Sequence, residues 1–477
     1  MLPYQPMNLT LNIFTTLSAR IATLGLALIS SIVLARWLGP EGRGLFALVL
    51  LLPGLAKSLG LLGLDQANSV YAGLAPEGRR ALVWQSAAVA AVVGSLIALG
   101  SIWFVALGAP GFSALLRGPV WLYVLPLAIL PVLMVSDYWG AIVRGMNRIL
   151  LLNVVEVGTK VVSLVLIAMF VVWLRLDVAG AVWTELVMGV GSVVLMLVLL
   201  THVGVIGKPA FDKALWKRTW QFALPVYGAG MMTFLNYRAD QFMIAALLPP
   251  EQLGFYVIAV DIAERLWILT GAVATSLLPH LTNSPRRDPA LAAVVCRHVM
   301  FWTGAASLLV FVLADVAVRI LYSSAFAPVT APLRWLLPGI LILTAGKVLV
   351  AELAAREKIR FTFWLGGTAV LVNIVANLAL IPSMGISGAA LASSISYSLV
   401  SIIVILYYLR ETRLSWTVLV PSRSDFSAYA SAWRNRTGLS RGDASSAGDL
   451  PSGLNGVEVE DNAFDSSTAS SPTIARR

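Results

Sequence analysis

Six basic residues interrupt runs that are otherwise apolar: Arg20, Lys57, Lys160, Arg238, Arg265 and Lys347. A charge at mid-span in a membrane helix costs roughly 2.5–3.5 kcal/mol even on a lenient insertion scale. Each of the six therefore needs a partner or a wet cavity. Lys160 follows Glu156 by four residues and Arg265 follows Asp261 by four, a spacing that predicts pairs on one helix face. Arg20, Lys57 and Lys347 have no acid three or four positions away, and Arg238 has only Asp240, two residues on and on another face. These four are the candidate substrate-binding cations. The structural alternative is pairing between helices, with Asp137, Glu185, Asp240, Asp315 or Glu352. Cations in a cavity suit an anionic cargo, and arginine in particular forks onto phosphate oxygens. Asp240, Glu185 and Asp315 are candidate ion-coupling residues that would take up H⁺ or Na⁺.

This chemistry is binding rather than bond-breaking. The sole cysteine, Cys296, excludes an internal disulfide, and His202, His280 and His298 lie far apart. Neither a zinc spacing nor a Cys–His nucleophile pair is present, so no catalytic residue, metal or cofactor is expected.

The elements that position these charges must be membrane helices. The 477 residues are 58% hydrophobic and 12% charged, with a mean hydropathy of +0.83. Runs of about 20 apolar residues fit spanning helices, and in hydrocarbon only helices or closed barrels satisfy the backbone. The short alternating segments of a membrane barrel are missing. Twelve spans are predicted between residues 13 and 409, an all-α polytopic membrane protein. The first carries Arg20 and has no small-residue cleavage pattern, so it reads as a retained helix. Residues 411–477, rich in Ser, Gly, Ala and charge, read as a disordered cytoplasmic tail.

The net charge of +10 follows membrane topology rather than nucleic acid. Sixteen Lys and Arg fall in the even-numbered connections and the start of the tail, against six in the odd-numbered ones. That asymmetry puts both termini in the cytoplasm.

Part of the sequence occurs twice. "LGPEGRGLFAL" at Leu38–Leu48 echoes "LPPEQLGFYVI" at Leu248–Ile258, with Leu38/Leu248, Pro40/Pro250, Glu41/Glu251 and Gly44/Gly254 identical. "VGTKVVSLVLI" at Val157–Ile167 echoes "GGTAVLVNIVA" at Gly366–Ala376, and "VAGAVWT" at Val178–Thr184 echoes "ISGAALA" at Ile386–Ala392. The order is the same and the offset nearly constant. Residues 1–206 and 219–410 are thus two six-helix lobes joined by a loop at 207–218. Because six is even, the repeat is parallel, with a pseudo-two-fold axis along the membrane normal and a central cavity between lobes that can rock. Pro53, Pro126, Pro131, Pro225, Pro279 and Pro338 interrupt spans and predict kinks. Asn373 and Asn377 share one helix face and read as glue between helices. Arg43, in the first turn, is not a predicted binding residue.

"SSIVLARWLGPEGRGLFALVLLL" resembles the start of polysaccharide-biosynthesis flippases of the Wzx type. "LNYRADQFMIAALLPPEQLGFYVIAVDIAERLWILTGAVATSLLPHLTN" resembles the start of their second half, and "LIPSMGISGAALASSISY" their eleventh-to-twelfth helix junction. The resemblance covers about residues 10–410 and places the chain in the multidrug/oligosaccharidyl-lipid/polysaccharide exporter superfamily. It implies alternating-access movement of a polyisoprenyl-diphosphate-linked oligosaccharide across the bacterial inner membrane, for O-antigen, exopolysaccharide or capsule. Its implied partners are that lipid-linked oligosaccharide, membrane lipid, a coupling H⁺ or Na⁺ and the polysaccharide polymerase machinery, with no nucleic acid. By position, Arg20 matches a basic cavity residue of lipid-diphosphate flippases. The alternatives are an ion-coupled multidrug or cation antiporter of the same superfamily and, less well matched for want of a large polar loop, a membrane enzyme of polysaccharide assembly.

Overall fold

The computed structural model describes residues 9–107, 116–267, 289–355 and 359–420. Among them every regular element is helical and no strand occurs. Eight helices are long and apolar enough to cross a membrane, and Trp121–Ala128 with Leu130–Gly145 make a ninth span bent by 41°. The bend falls at Ile129, between Pro126 and Pro131, where two missing amide donors weaken the helix.

The first helix, α1 (Leu9–Gly60), contains two crossings. Gly39 breaks it at φ 67° and ψ 179°, a backbone state that side chains resist, and Pro40 then starts the second arm. Beyond it come α2 (Leu64–Leu74), α3 (Arg79–Val89), α4 (Ser95–Ala106), α5 (Trp121–Ala128), α6 (Leu130–Gly145), α7 (Ile149–Ile167) and α8 (Asp177–His202). The second half contains α9 (Lys213–Leu247), α10 (Pro250–Arg265), α11 (Pro289–Tyr322), α12 (Thr330–Ala355), α13 (Ile359–Met384) and α14 (Ile386–Thr412). With α9 and α10 added and α1 divided at Gly39, each of the twelve expected spans has a helix.

Four local features depart from the sequence reading. The stretch after the second span is not only a loop: it holds α2, entered through Gly63 in the left-handed region. The seventh span begins at Lys213, inside the expected 207–218 loop. Its N-cap is Asp212, whose Oδ1 accepts from the Ala214 and Leu215 amides at 2.9 and 3.0 Å. Wide π turns at Ala90–Gly94 and Ala168–Trp173, which hydrophobic periodicity does not signal, lie within the third and fifth spans. Finally, order persists past residue 411. α14 ends at Thr412, and the 3₁₀ turn Trp416–Leu419 packs on α11, where Arg297 Nη1 donates to Val418 O at 3.3 Å. The rest of the expected tail, and Pro279, lie outside the described residues.

The halves meet where the repeated motif meets itself. A Cβ added to Gly44 would fall 1.7 Å from Pro250 O, and one added to Gly254 would fall 2.3 Å from Pro40 O. Gly44 corresponds to Gly254 in the repeat and Pro40 to Pro250, so each copy makes the same contact with the other. Such reciprocity is what a two-fold axis produces. Only glycine lets the α1 and α10 backbones approach this closely. At the same end, Arg36 Nε donates to Leu321 O at 2.8 Å, covering free carbonyls at the end of α11.

At the other end of α1, a Cβ on Gly63 would lie 2.3 Å from Ala223 O in α9. Tyr227 Oη donates to Leu59 O at 3.2 Å there, and Tyr71 Oη to Arg218 O at 3.3 Å. The repeat-related counterpart of this second contact falls partly outside the described residues.

Replacing Gly44 with Ala will force the α1 and α10 backbones apart and destabilise the fold by about 1–3 kcal/mol, an overpacking cost. Thermal unfolding in detergent should show a clear drop in Tm for Gly44→Ala and Gly254→Ala. Gly54→Ala, where an added Cβ meets nothing within 4 Å, should show none.

Candidate functional site

Polar groups gather where α9, α10, α12 and α14 pack together, with α10 against α1. Arg238 on α9 forks onto Glu264 on α10, with Nη1–Oε1 at 3.2 Å and Nη2–Oε2 at 3.5 Å. Their side chains are 33% and 24% exposed, so the pair is open to solvent or cargo. Lys347 on α12 has no carboxylate contact among the described residues. Its Nζ sits 3.5 Å from the centroid of the Trp267 ring and 5.3 Å from that of Tyr237, held by the faces of the rings. Tyr397 on α14 sets its edge against both, at 5.7 and 5.9 Å. The buried Trp267 Nε1 has no hydrogen-bond partner among the described residues. Next to Glu264, Arg265 Nη1 donates to Leu24 O at 3.3 Å. That brings α10 beside α1 one helical turn from Arg20, which is exposed and carries no ion pair among the described residues.

Behind this surface lies a buried oxygen-rich cluster. Asp240 is 1% exposed. It accepts from Tyr256 Oη, from Ser393 Oγ at 2.9 Å and from the Gln241 amide at 2.7 Å. Asn373 Nδ2 donates to Ser393 Oγ at 3.4 Å, and Asn377 Nδ2 to Asn373 Oδ1 at 3.0 Å. Asn377 Oδ1 is buried without a partner among the described residues. The two asparagines thus join helices, as their spacing suggests, and also extend a run of hydroxyl, amide and carboxylate groups from α9 to α13 and α14. No Lys or Arg touches Asp240 among the described residues, so a proton or a small hard cation suits its charge.

The first half holds a second polar region. Lys57 pairs with Asp137 on α6 at 3.0 Å, so this candidate cation has an acidic neighbour on another helix, the structural alternative. Glu185 on α8 is exposed and lies within electrostatic reach of Lys160, Lys57 and Arg43.

Several expected pairings are replaced. Lys160 does not pair with Glu156, and Asp261 does not pair with Arg265. Asp261 Oδ2 instead takes Arg43 Nη2 at 3.2 Å, across the α1–α10 contact. Arg43 is therefore buried at the junction of the halves rather than free in a turn. The close glycine contact explains the exchange, because it brings α1 within reach of Asp261 while Arg265 turns to the Leu24 carbonyl. Asp315 is half-exposed on α11 and paired with Arg334 Nη2 at 2.6 Å, among the exposed side chains of Val312 and Val316. It joins neither polar region. The sequence reading missed Glu264, Tyr256 and Ser393 and the rings around Lys347. The available signals were an acid inside an apolar run for Glu264 and the serine-rich "ASSIS" segment for Ser393.

A bundle of spanning helices with polar groups held between two repeated halves is the architecture of a membrane transporter fold. Solved structures share it at low identity. The lipid II flippase MurJ in an inward closed conformation aligns with a TM-score of 0.67 and 16% identity, over 85% of this chain and 88% of that one. An inward-facing multidrug resistance MATE family transporter of the MOP superfamily gives 0.62 and 16%, over 84% and 98%. A MOP superfamily transporter from Pyrococcus furiosus gives 0.59 and 13%, over 84% and 95%. No curated protein matches the sequence. Residues 9–284 match the family model described as polysaccharide biosynthesis protein, and the chain belongs to that family.

The Arg43–Asp261 pair is expected to couple the halves energetically. A double-mutant cycle of Arg43→Ala and Asp261→Ala, read by chemical or thermal unfolding, should give an interaction energy on the order of 1 kcal/mol. The cycle of Asp261→Ala with Arg265→Ala should give about zero.

Proposed function

We propose that the protein is a flippase that moves a polyisoprenyl-diphosphate-linked oligosaccharide across the inner membrane for cell-surface polysaccharide assembly, by alternating access. The observation that carries this reading is the cationic site within the membrane helices, Arg238, Lys347 and Arg20, in a chain of the polysaccharide biosynthesis protein family. A diphosphate loses a large hydration energy on entering hydrocarbon. Arginine forks and a lysine ammonium offset that loss. Among the described residues, Arg20 is the one of these cations with no internal partner to displace. Arg238 would exchange Glu264 for the diphosphate, and Lys347 would leave the rings of Trp267 and Tyr237 for the same anion. The ring faces that Lys347 leaves then suit a sugar.

In this reading both termini are cytoplasmic, and the Gly44–Gly254 contact with its Arg43–Asp261 pair closes the outer side. The Gly63–Ala223 contact closes part of the cytoplasmic side. The lobes, residues 1–206 and 219–410, rock about the site and break one set of contacts at a time. The lipid tail stays in hydrocarbon throughout. Asp240 serves as the coupling residue: uptake of H⁺ or Na⁺ among Tyr256, Ser393 and the asparagines changes the packing of α9 against α13 and α14. Glu185 is a second candidate for coupling, in the first lobe. The acidic groups Glu264, Asp240 and Glu185 also support the rival reading, an ion-coupled multidrug or cation antiporter.

Transport of a labelled lipid-linked oligosaccharide in proteoliposomes tests the proposal. Arg20→Ala should leave stability within about 0.5 kcal/mol, as for an exposed side chain, yet lower the rate at least about tenfold, equivalent to 1.4 kcal/mol. Normal flipping by both Arg20→Ala and Arg238→Ala would remove the assigned roles. Asp240→Asn should retain the fold and lose stimulation by an imposed H⁺ or Na⁺ gradient. Unchanged stimulation in that variant would take coupling away from Asp240.

A further inference from the structure

An apolar cavity of about 360 Å³ opens between the second arm of α1, α4, α5 and α9. Its walls include Leu52, Leu55, Leu59, Phe104, Leu127 and Phe242, and the one polar side chain on its lining is Ser101. The cavity is partly open, with Leu59 42% and Phe104 44% exposed, and its large apolar side chains favour an apolar occupant over water. Sugar is a poor occupant, since its hydroxyls would find almost no partners there. A helix of roughly 10 Å diameter is too wide. A single hydrocarbon chain meets both conditions.

The cavity's position ties it to the polar site. Phe242 follows Arg238 by four residues on α9, so the two lie on one face about 6 Å apart along the axis. Headgroup cation and apolar cavity are therefore adjacent steps on the same helix. A lipid with its diphosphate at Arg238 would have the first part of its tail beside Phe242. Between the α4 side chains Gly100 leaves room: a Cβ built there meets no atom within 4 Å.

Resting on the flippase reading, we propose that this cavity binds the proximal isoprenyl segment of the lipid carrier. The protein then reads the tail as well as the headgroup, and a carrier with a long chain is held more tightly than one whose chain ends short of the cavity.

The test compares two probes on the full-length protein in nanodiscs. They carry the same diphosphate-linked sugar, one on a long polyisoprenyl chain and one on a short water-soluble chain. Gly100→Trp fills the cavity; Gly100→Ala is the control. Gly100→Trp should weaken binding of the long-chain probe by about tenfold or more, while the short-chain probe binds as before and Gly100→Ala matches the unaltered protein. Undiminished long-chain binding by Gly100→Trp, or equal loss of both probes, overturns the proposal. In either case binding by the unaltered protein leaves the flippase reading intact, whereas failure of the unaltered protein to bind either probe overturns both. A photoreactive group on the isoprene nearest the diphosphate gives a readout that needs no variant. It should mark residues 52–59 and 100–105. Labelling confined to the exposed Val92, Leu96 and Leu99, or equal labelling of the cavity by a photoreactive phospholipid, contradicts a carrier-specific site.

Discussion

The two halves touch backbone to backbone at Gly44 and Gly254, and the placement of the remaining groups follows from that contact. With a side chain at either position, α1 and α10 would stand further apart, Arg43 would lose Asp261, and Arg265 would lose the Leu24 carbonyl. Glu264, between Asp261 and Arg265 on the same helix, is thereby aimed at Arg238. A contact made of two glycines and two proline carbonyls thus sets the register of the charged face of α10 against α1 and α9. Because the contact is reciprocal, it also marks where the pseudo-two-fold axis passes.

A second constraint, the expense of charge in a low-dielectric surrounding, sorts the polar residues into kinds. Lys57 and Arg334 have carboxylates and are neutralised in place. Arg238 has a carboxylate that another anion could replace. Among the described residues Lys347 has only aromatic faces, a weaker hold that a phosphate would readily exceed, and Asp240 has only neutral donors. The progression from fully paired to loosely held to unneutralised is the basis on which cargo and coupling roles are proposed.

The architecture was legible because apolar run length responds to the membrane itself, and the repeat was legible because both copies of the hairpin must solve the same packing problem. Partner choice was less so. Helical spacing proposed Glu156 for Lys160 and Asp261 for Arg265, yet side chains in a bundle reach across helices as easily as along them, and the Gly44–Gly254 approach redirected Asp261. Lys347 found π faces, which an inventory of acids does not contain. Asp240 was legible as an acid within a span, but its donors, Tyr256 and Ser393, come from two other helices, and nothing beside Asp240 in the sequence points to them. Asp315 looked equivalent to Asp240 in sequence and differs because α11 turns it to an exposed face.

The central claim is that the intramembrane cations recognise a lipid diphosphate. Its most direct test is a flipping assay in proteoliposomes with two lipids that share one oligosaccharide and one polyisoprenyl chain, the first joined through a diphosphate and the second through an uncharged linkage. The account predicts rapid transbilayer movement of the diphosphate lipid and none above background for the neutral one. Equal movement of both lipids, or movement of neither together with export of a lipophilic cation, would contradict it.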